Sequence, residues 1–418
     1  MGMIEKSKRV NDGYEDEIND SLNRLKESNK LSGLEYFFNL SREYFDLENL
    51  KSKTPKVTVL GPNIPEEIIL ALGQTPYYII GGSFGSCSWS DSYVPRDTDS
   101  VNRSILGFLK NEEINIFKDS LIVVPIVCDS MRKIAYMLED DFNVITVDFP
   151  PDKESKYSAK KWNDEMYKLR FALEKHLGTK ISKSSLLEAS ELVSNARNTM
   201  RKFVEISNEK NIISKTTIQF ILNTYYFVDD IEIWTDKLEL LCHEIKSKAQ
   251  KSNKSQKPNI LVMGSPIYFP NFKIPFLLED INLDMGTAVN VITQRMMIEY
   301  DENRVSLSKD KLFEYIVNIN YEKDCSQAYT NNKTLFDLVK DIEENQEFDG
   351  VIYHVLKGQI EYDFELERYE TLFAKKDIPI FRLETDYNYQ DIEQLRIRME
   401  AFMEMIQHRL YQSRRVVS

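Results

Sequence analysis

Cysteine and histidine are scarce: 418 residues hold four of each, with no CxxC pair and no two-His or Cys/His cluster at zinc spacing. The cysteines (Cys87, Cys128, Cys242, Cys325) lie far apart, which excludes a disulfide framework and predicts a reducing compartment. Excess positive charge is also missing. A formal net charge of −13 leaves no overall basic face to neutralise phosphates, so nucleic acid is excluded as a partner, although a local basic pocket for a small anion stays open. Long apolar runs are absent too. The longest uncharged stretch, residues 68–90, is broken by Gly, Gln, Pro and Ser, so no membrane span is expected. The opening "MGMIEKSKRVNDGYEDE" carries no apolar signal core, and together these features predict a cytoplasmic protein. No Ser, His and acid are spaced to suggest a hydrolase, and His354, alone in an apolar run, reads as a hydrogen-bonded core residue.

What is present is the composition of an ordinary globular chain, 42% hydrophobic and 29% charged, long enough for two or three domains. Residues 1–54 read as a helical segment with Leu22, Leu25, Leu34, Phe37 and Phe38 as contacts. Short apolar strands are expected at 57–60, 77–80, 121–127 and 144–149, with helix-forming segments between most of them, which makes 55–155 a first α/β domain. Residues 156–257 form a helical connector, with Leu169, Leu173 and Leu177 at four-residue spacing. Its end, the polar stretch 246–258 ("KSKAQKSNKSQKP"), reads as a linker. The α/β pattern restarts over 258–418, with strands expected at 260–263, 288–293, 350–356 and 378–384. In the final helix the stripe Ile392, Leu395, Met399, Phe402, Ile406 is core. The fold class is therefore α/β: two Rossmann-like or flavodoxin-like parallel sheets joined by helices, with the site in the cleft between strand ends.

Four strand ends carry candidate chemistry. In "VLGPNIPEEII", Pro65, Glu66 and Glu67 suit a helix N-terminus, and the functional alternative is a carboxylate at Glu66 or Glu67 acting as a base in the cleft. "IIGGSFGSCSW" offers Gly81, Gly82 and Gly85 after a strand, but a dinucleotide cradle needs a helix to open at once, and "SDSYVPRD" follows instead. Gly264 and Ser265 precede an amphipathic helix, where free amides would bind a phosphate or carboxylate of the substrate; ordinary turn chemistry explains them equally. In "LIVVPIVCDSMRK", Cys128 stands at a strand tip ahead of a helix start, as ligand, nucleophile or packed apolar residue.

Six segments in order, "TVLGPNIPEEIILALG", "YVPRDTDSVNRSILGFL", "IVVPIVCDSMRK", "GSPIYFPNFKIPFLLED", "GVIYHVLKGQIEYDFELERYE" and "IPIFRLETDYNYQDIEQLRIRMEAFMEMI", resemble the 2-hydroxyacyl-CoA dehydratase component D family, which includes benzoyl-CoA reductase subunits. The resemblance implies a subunit of a radical dehydratase that converts a 2-hydroxyacyl-CoA to an enoyl-CoA. It implies a second homologous subunit (a heterodimer, with a homodimer as the alternative) and an ATP-dependent iron–sulfur activator. It also implies a [4Fe–4S] cluster held by three cysteine thiolates, whose positions carry over to Asp99, Cys128 and Gln359. Only Cys128 is a cysteine, and neither an Asp oxygen nor a Gln amide replaces a soft anionic thiolate, so a conventional cluster is not expected here. Cys87 and Cys325 stand as substitutes only with an unusual backbone. The alternatives are a subunit of an ATP-dependent aryl-CoA reductase, or a non-catalytic acyl-CoA-binding or scaffold paralogue that lost the metal; sulfur transfer through Cys128 alone has little support.

Overall fold

A computed structural model of the chain describes residues 3–248 and 257–417. Strands β1 (Val57–Leu60), β2 (Tyr77–Ile79), β3 (Leu121–Ile126) and β4 (Asn143–Asp148) form one sheet in the order β2-β1-β3-β4. Strands β5 (Asn259–Gly264), β6 (Asp284–Val289), β7 (Gly350–Leu356) and β8 (Ile380–Thr385) form a second in the order β6-β5-β7-β8. Every pairing is parallel. The inner strands β1, β3 and β7 are buried along their whole length, which is why they read as unbroken apolar runs, whereas the edge strands β4, β6 and β8 mix buried with partly exposed positions.

One strand lies elsewhere than expected. The sequence reading placed it at 288–293, but β6 ends at Val289, because the Asn290 side chain accepts from the Ile292 and Thr293 amides and opens the helix Val291–Arg295. The strand itself, DMGTAV, carries an Asp and a Gly that disguise it. Gly286 is required there, since a Cβ would sit 1.7 Å from Asn259 Oδ1.

Helices Ser158–Leu177, Lys183–Lys210, Lys215–Thr224 and Ile231–Lys248 occupy the stretch between the sheets. The last runs into the expected linker at 246–258, of which residues 249–256 lie outside the described residues. Among the described residues no helix is long and apolar enough to cross a membrane. One apolar core runs from the N-terminal helices through the first sheet and the connector helices to one face of the second sheet. Leu22, Leu25, Leu34, Phe37 and Phe38 all lie in it, as do Leu169 and Leu173, with Leu177 partly buried against it. A smaller core covers the other face of the second sheet, and the pleat sorts the side chains: Ile260, Val262 and Ile352 go to the first core, Leu261, Met263, Val351 and Tyr353 to the second. In the final helix Leu395, Met399, Phe402 and Ile406 are buried and Ile392 packs against the core, as the stripe predicts. Phe269, in the loop after β5, enters an aromatic cluster with Phe45 of an N-terminal helix (5.6 Å between ring centres) and Phe220 of the connector (5.1 Å).

A buried ion network ties the connector to the first and second α/β domains by charge. Arg197, in the helix Lys183–Lys210, is 2% exposed and lies 3.1 Å from Glu66 and 3.1 Å from Glu67. It also donates to the Tyr300 hydroxyl at 3.2 Å, and Tyr300 donates to Glu67. Tyr78 donates to Glu66 at 3.2 Å, and Arg295 lies 3.7 Å from Glu66 while donating to the Ile64 carbonyl at 2.9 Å. Burial opposes the charge on Arg197, but Tyr300, Glu67 and Glu66 outweigh it and hold the guanidinium ionised, its pKa well above the usual value.

Two predictions follow from this packing. Arg197→Met strands two buried carboxylates and is expected to cost ~3–5 kcal/mol in urea unfolding, with Glu66→Gln and Glu67→Gln in the same chain restoring much of it. His354 accounts for an acid limb. Its ring contacts the Thr385 hydroxyl at 2.7 Å and the Ser265 carbonyl at 3.4 Å, and burial lowers its pKa to about 4. The folded pKa lies below the unfolded value of about 6.5, so this contribution is complete above that pH and is lost as pH falls toward about 4, on the order of 3 kcal/mol. Urea titrations across that window should show a shallower decline for His354→Gln.

Candidate functional site

In each sheet the chain reverses direction of build between the first strand and the third, and the crevice outside these strand ends is where such folds hold ligands. Here the two crevices face each other. A narrow cavity of about 60 Å³ lies between Gly61–Asn63 after β1, Val127 and Cys128 after β3, Gly264 at the end of β5 and Gln359 after β7. That volume accommodates roughly two water molecules. Gly264 is required at its wall: φ is +106°, and a Cβ would meet the His354 carbonyl oxygen at 2.1 Å. β1 pairs with β3 only as far as Val123, so Pro125, which has no amide hydrogen, lies beyond that ladder, while β4 stays paired with β3 through Ile126.

Cys128 reaches the cavity as a helix cap. Its Sγ accepts from the Met131 amide at 3.4 Å and from Asn102 Nδ2 at 3.4 Å. Burial, then the Asp99 charge, push its thiol up to about 11, so it is a neutral thiol at physiological pH. Asp99 caps the helix Ser100–Lys110 by accepting from the Asn102 amide at 3.0 Å. Its second oxygen accepts from Asn102 Nδ2 at 2.6 Å, and Gln359 Nε2 donates to Oδ1 at 3.2 Å from across the cleft. Burial raises the Asp99 pKa. The three positions that the resemblance assigns to cluster ligands are thus brought together as one hydrogen-bonded set running Cys128, Asn102, Asp99, Gln359. The set supplies a single cysteine, one carboxylate already engaged by three donors and one neutral amide, so it does not fit an iron–sulfur cluster, which needs several thiolates. Among the described residues no three His, Cys, Asp or Glu side chains gather as a metal site.

The other candidates have different settings. Glu66 and Glu67 begin a short helix, as their sequence suggests, but both are buried against Arg197 and neither lines the cavity. Ser265 is not a free turn: its amide donates to the His354 carbonyl at 2.8 Å and its hydroxyl accepts from the Leu356 amide at 2.9 Å, so it fastens β5 to β7. The helix after it starts only at Lys273. Behind Gly81 and Gly82 a short helix, Phe84–Trp89, does open at once, contrary to the sequence reading. Its N-terminal donors are already taken by the Glu17 carboxylate, which accepts from Ser83 Oγ at 2.9 Å and from the Phe84 and Gly85 amides at 3.1 Å each. Cys87, within that helix, is buried with its Sγ on the carbonyls of Ser83 and Ser100, while Cys325 lines the cavity as a thiol pushed up by burial to about 12.

Sequence reasoning missed the residues that give the cavity its chemistry. Asn63, Asn102, Asn290, Gln294 and Gln327, beside the already singled-out Gln359, present carboxamides to it, and among the described residues no charged side chain lines it. The signal was available at Asn102, three residues after a capping Asp, and at Asn290, hidden by the misplaced β6. Such a wall offers hydrogen bonds to a neutral polar group and no general acid or base at neutral pH.

Comparison with known proteins gives this geometry its context. The family described as 2-hydroxyglutaryl-CoA dehydratase, D-component matches residues 63–406. The beta subunit of (R)-phenyllactyl-CoA dehydratase from Clostridium sporogenes is 23% identical over 347 residues, covering 82% of this chain and 89% of that protein. A putative dehydratase subunit of Escherichia coli (strain K12) is 24% identical with the same coverage, and the beta subunit of lactoyl-CoA dehydratase from Anaerotignum propionicum is 21% identical over 86% of this chain and 94% of its own length. With the match running from the turn after β1 into the final helix, and so over most of the chain, the chain belongs to the 2-hydroxyglutaryl-CoA dehydratase D-component family.

Proposed function

We propose that this chain is the cluster-free subunit of a 2-hydroxyacyl-CoA dehydratase-type complex, whose homologous partner holds the iron–sulfur cluster and receives the electron from an ATP-dependent activator. The observation that carries this reading is the family match over residues 63–406 combined with a carboxylate and a carboxamide at two of three ligand positions. A chain with that donor set has no means of polarising a thioester carbonyl by itself. The relatives named for phenyllactyl-CoA and lactoyl-CoA dehydration favour a 2-hydroxyacyl thioester over an aromatic one, and so favour dehydration over aryl-CoA reduction.

In this reading Gly264 and the carboxamides form a neutral, water-poor wall, and Glu66 and Glu67 serve the joint between sheets and connector. A subunit of this kind acts by completing the partner's fold and by excluding water from its substrate.

The test is reconstitution with a cysteine-complete homologous subunit and the activator under anaerobic conditions. Co-purification of the two chains and dehydration of a 2-hydroxyacyl-CoA that falls at least about 100-fold when this chain is omitted are expected, the scale on which loss of positioning reduces turnover. Undiminished turnover without this chain would sink the proposal.

A further inference from the structure

We propose that Asp99, Asn102 and Gln359 form a hydrogen-bonded clamp that closes the cleft where relatives place a metal cluster, so that the two sheets are held together at this point by side chains of the protein itself. The inference concerns this chain alone and stands apart from the assignment of the complex.

The clamp has members on both sides of the cleft. Asp99 caps the helix Ser100–Lys110, which follows β2 in the chain and precedes β3, and Gln359 stands at the head of the helix Ile360–Ala374, which follows β7. Their side chains meet at 3.2 Å although they are separated by 260 residues. Asp99, Asn102 and Gln359 are 2%, 4% and 5% exposed, so water competes little for these bonds. The backbone is drawn in with them. At Gly358, φ is +92°, and a Cβ would lie 2.8 Å from the Asp97 carbonyl oxygen and 2.9 Å from the Asp99 nitrogen, so the two segments touch main chain to main chain. The Ser100 hydroxyl accepts from the Tyr387 amide at 3.3 Å, which adds a second tie from the far side.

The bonding pattern makes the members interdependent. A buried carboxylate needs donors at both oxygens, and Asp99 obtains two from Asn102 and one from Gln359. Among the described residues Gln359 Oε1 has no partner, and the side-chain bond of Gln359 there is the one to Asp99. Removing either partner removes the same contact. Two independent caps would behave otherwise.

A double-mutant cycle reads this directly. Asp99→Ala and Gln359→Ala are each expected to lower the melting temperature. The double variant should melt close to Asp99→Ala, because the second substitution finds the contact already gone. Strict additivity of the two shifts overturns the clamp. A second measurement uses the convergence of the three positions. Wild-type chain incubated anaerobically with ferrous iron and sulfide is expected to retain less than one iron and no brown charge-transfer absorbance, whereas Asp99→Cys/Gln359→Cys, with Cys128 in place, is expected to retain about four irons per chain. About four irons on the wild type, or a folded double-cysteine variant with none, overturns the inference. Should the cysteine pair fail to fold, the melting cycle decides alone.

Discussion

The architecture depends on one buried guanidinium. Arg197 comes from the connector, yet its partners are Glu66 and Glu67, just after β1, and Tyr300, after β6. Arg197, Glu66 and Glu67 are all out of water, so losing one leaves a charge on the others uncompensated. Arg295 extends the network to the Ile64 carbonyl, and so to the Gly61–Asn63 turn that walls the cavity. The aromatic contacts of Phe269 with Phe45 and Phe220 join the second domain to the connector and to an N-terminal helix without charge.

This packing turns the strand tips of both sheets toward a single small space. In a family whose resemblance implies a metal cluster in this space, the chain has filled it with cross-bonded amide and carboxyl groups. The change is chemical as well as steric. Burial holds Cys128 and Cys325 as thiols, and no charged side chain among the described residues lines the cavity.

Much of the fold was legible in the residues. The buried inner strands announce themselves because both faces are apolar, and the final helix because its stripe keeps a helical period. Edge strands carry less signal, and β6, half polar with an Asp and a Gly, was read four residues late. The short helix at Phe84 was missed for a related reason. Ser83 caps it locally by accepting from the Ser86 amide, but the partner of the Phe84 and Gly85 amides is Glu17, distant in sequence. At the site, the resemblance located Asp99, Cys128 and Gln359, but the partner role of Asn102 was visible only as a local cap.

The sequence by itself determined the class of the fold, the family, and the absence of a thiolate set, because these follow from periodicity, ordered motifs and residue types. Tertiary structure decided what the remaining polar residues do. Glu66 and Glu67 could have faced a substrate, but Arg197, some 130 positions later, claims them. Ser265 could have offered a free amide, but the His354 carbonyl takes it. Asp99 and Gln359 could have been unrelated losses; across the cleft they became one contact. The physical reason is common to all three cases. A buried polar group must find its partner, and which partner is within reach is settled only when distant segments are packed against each other.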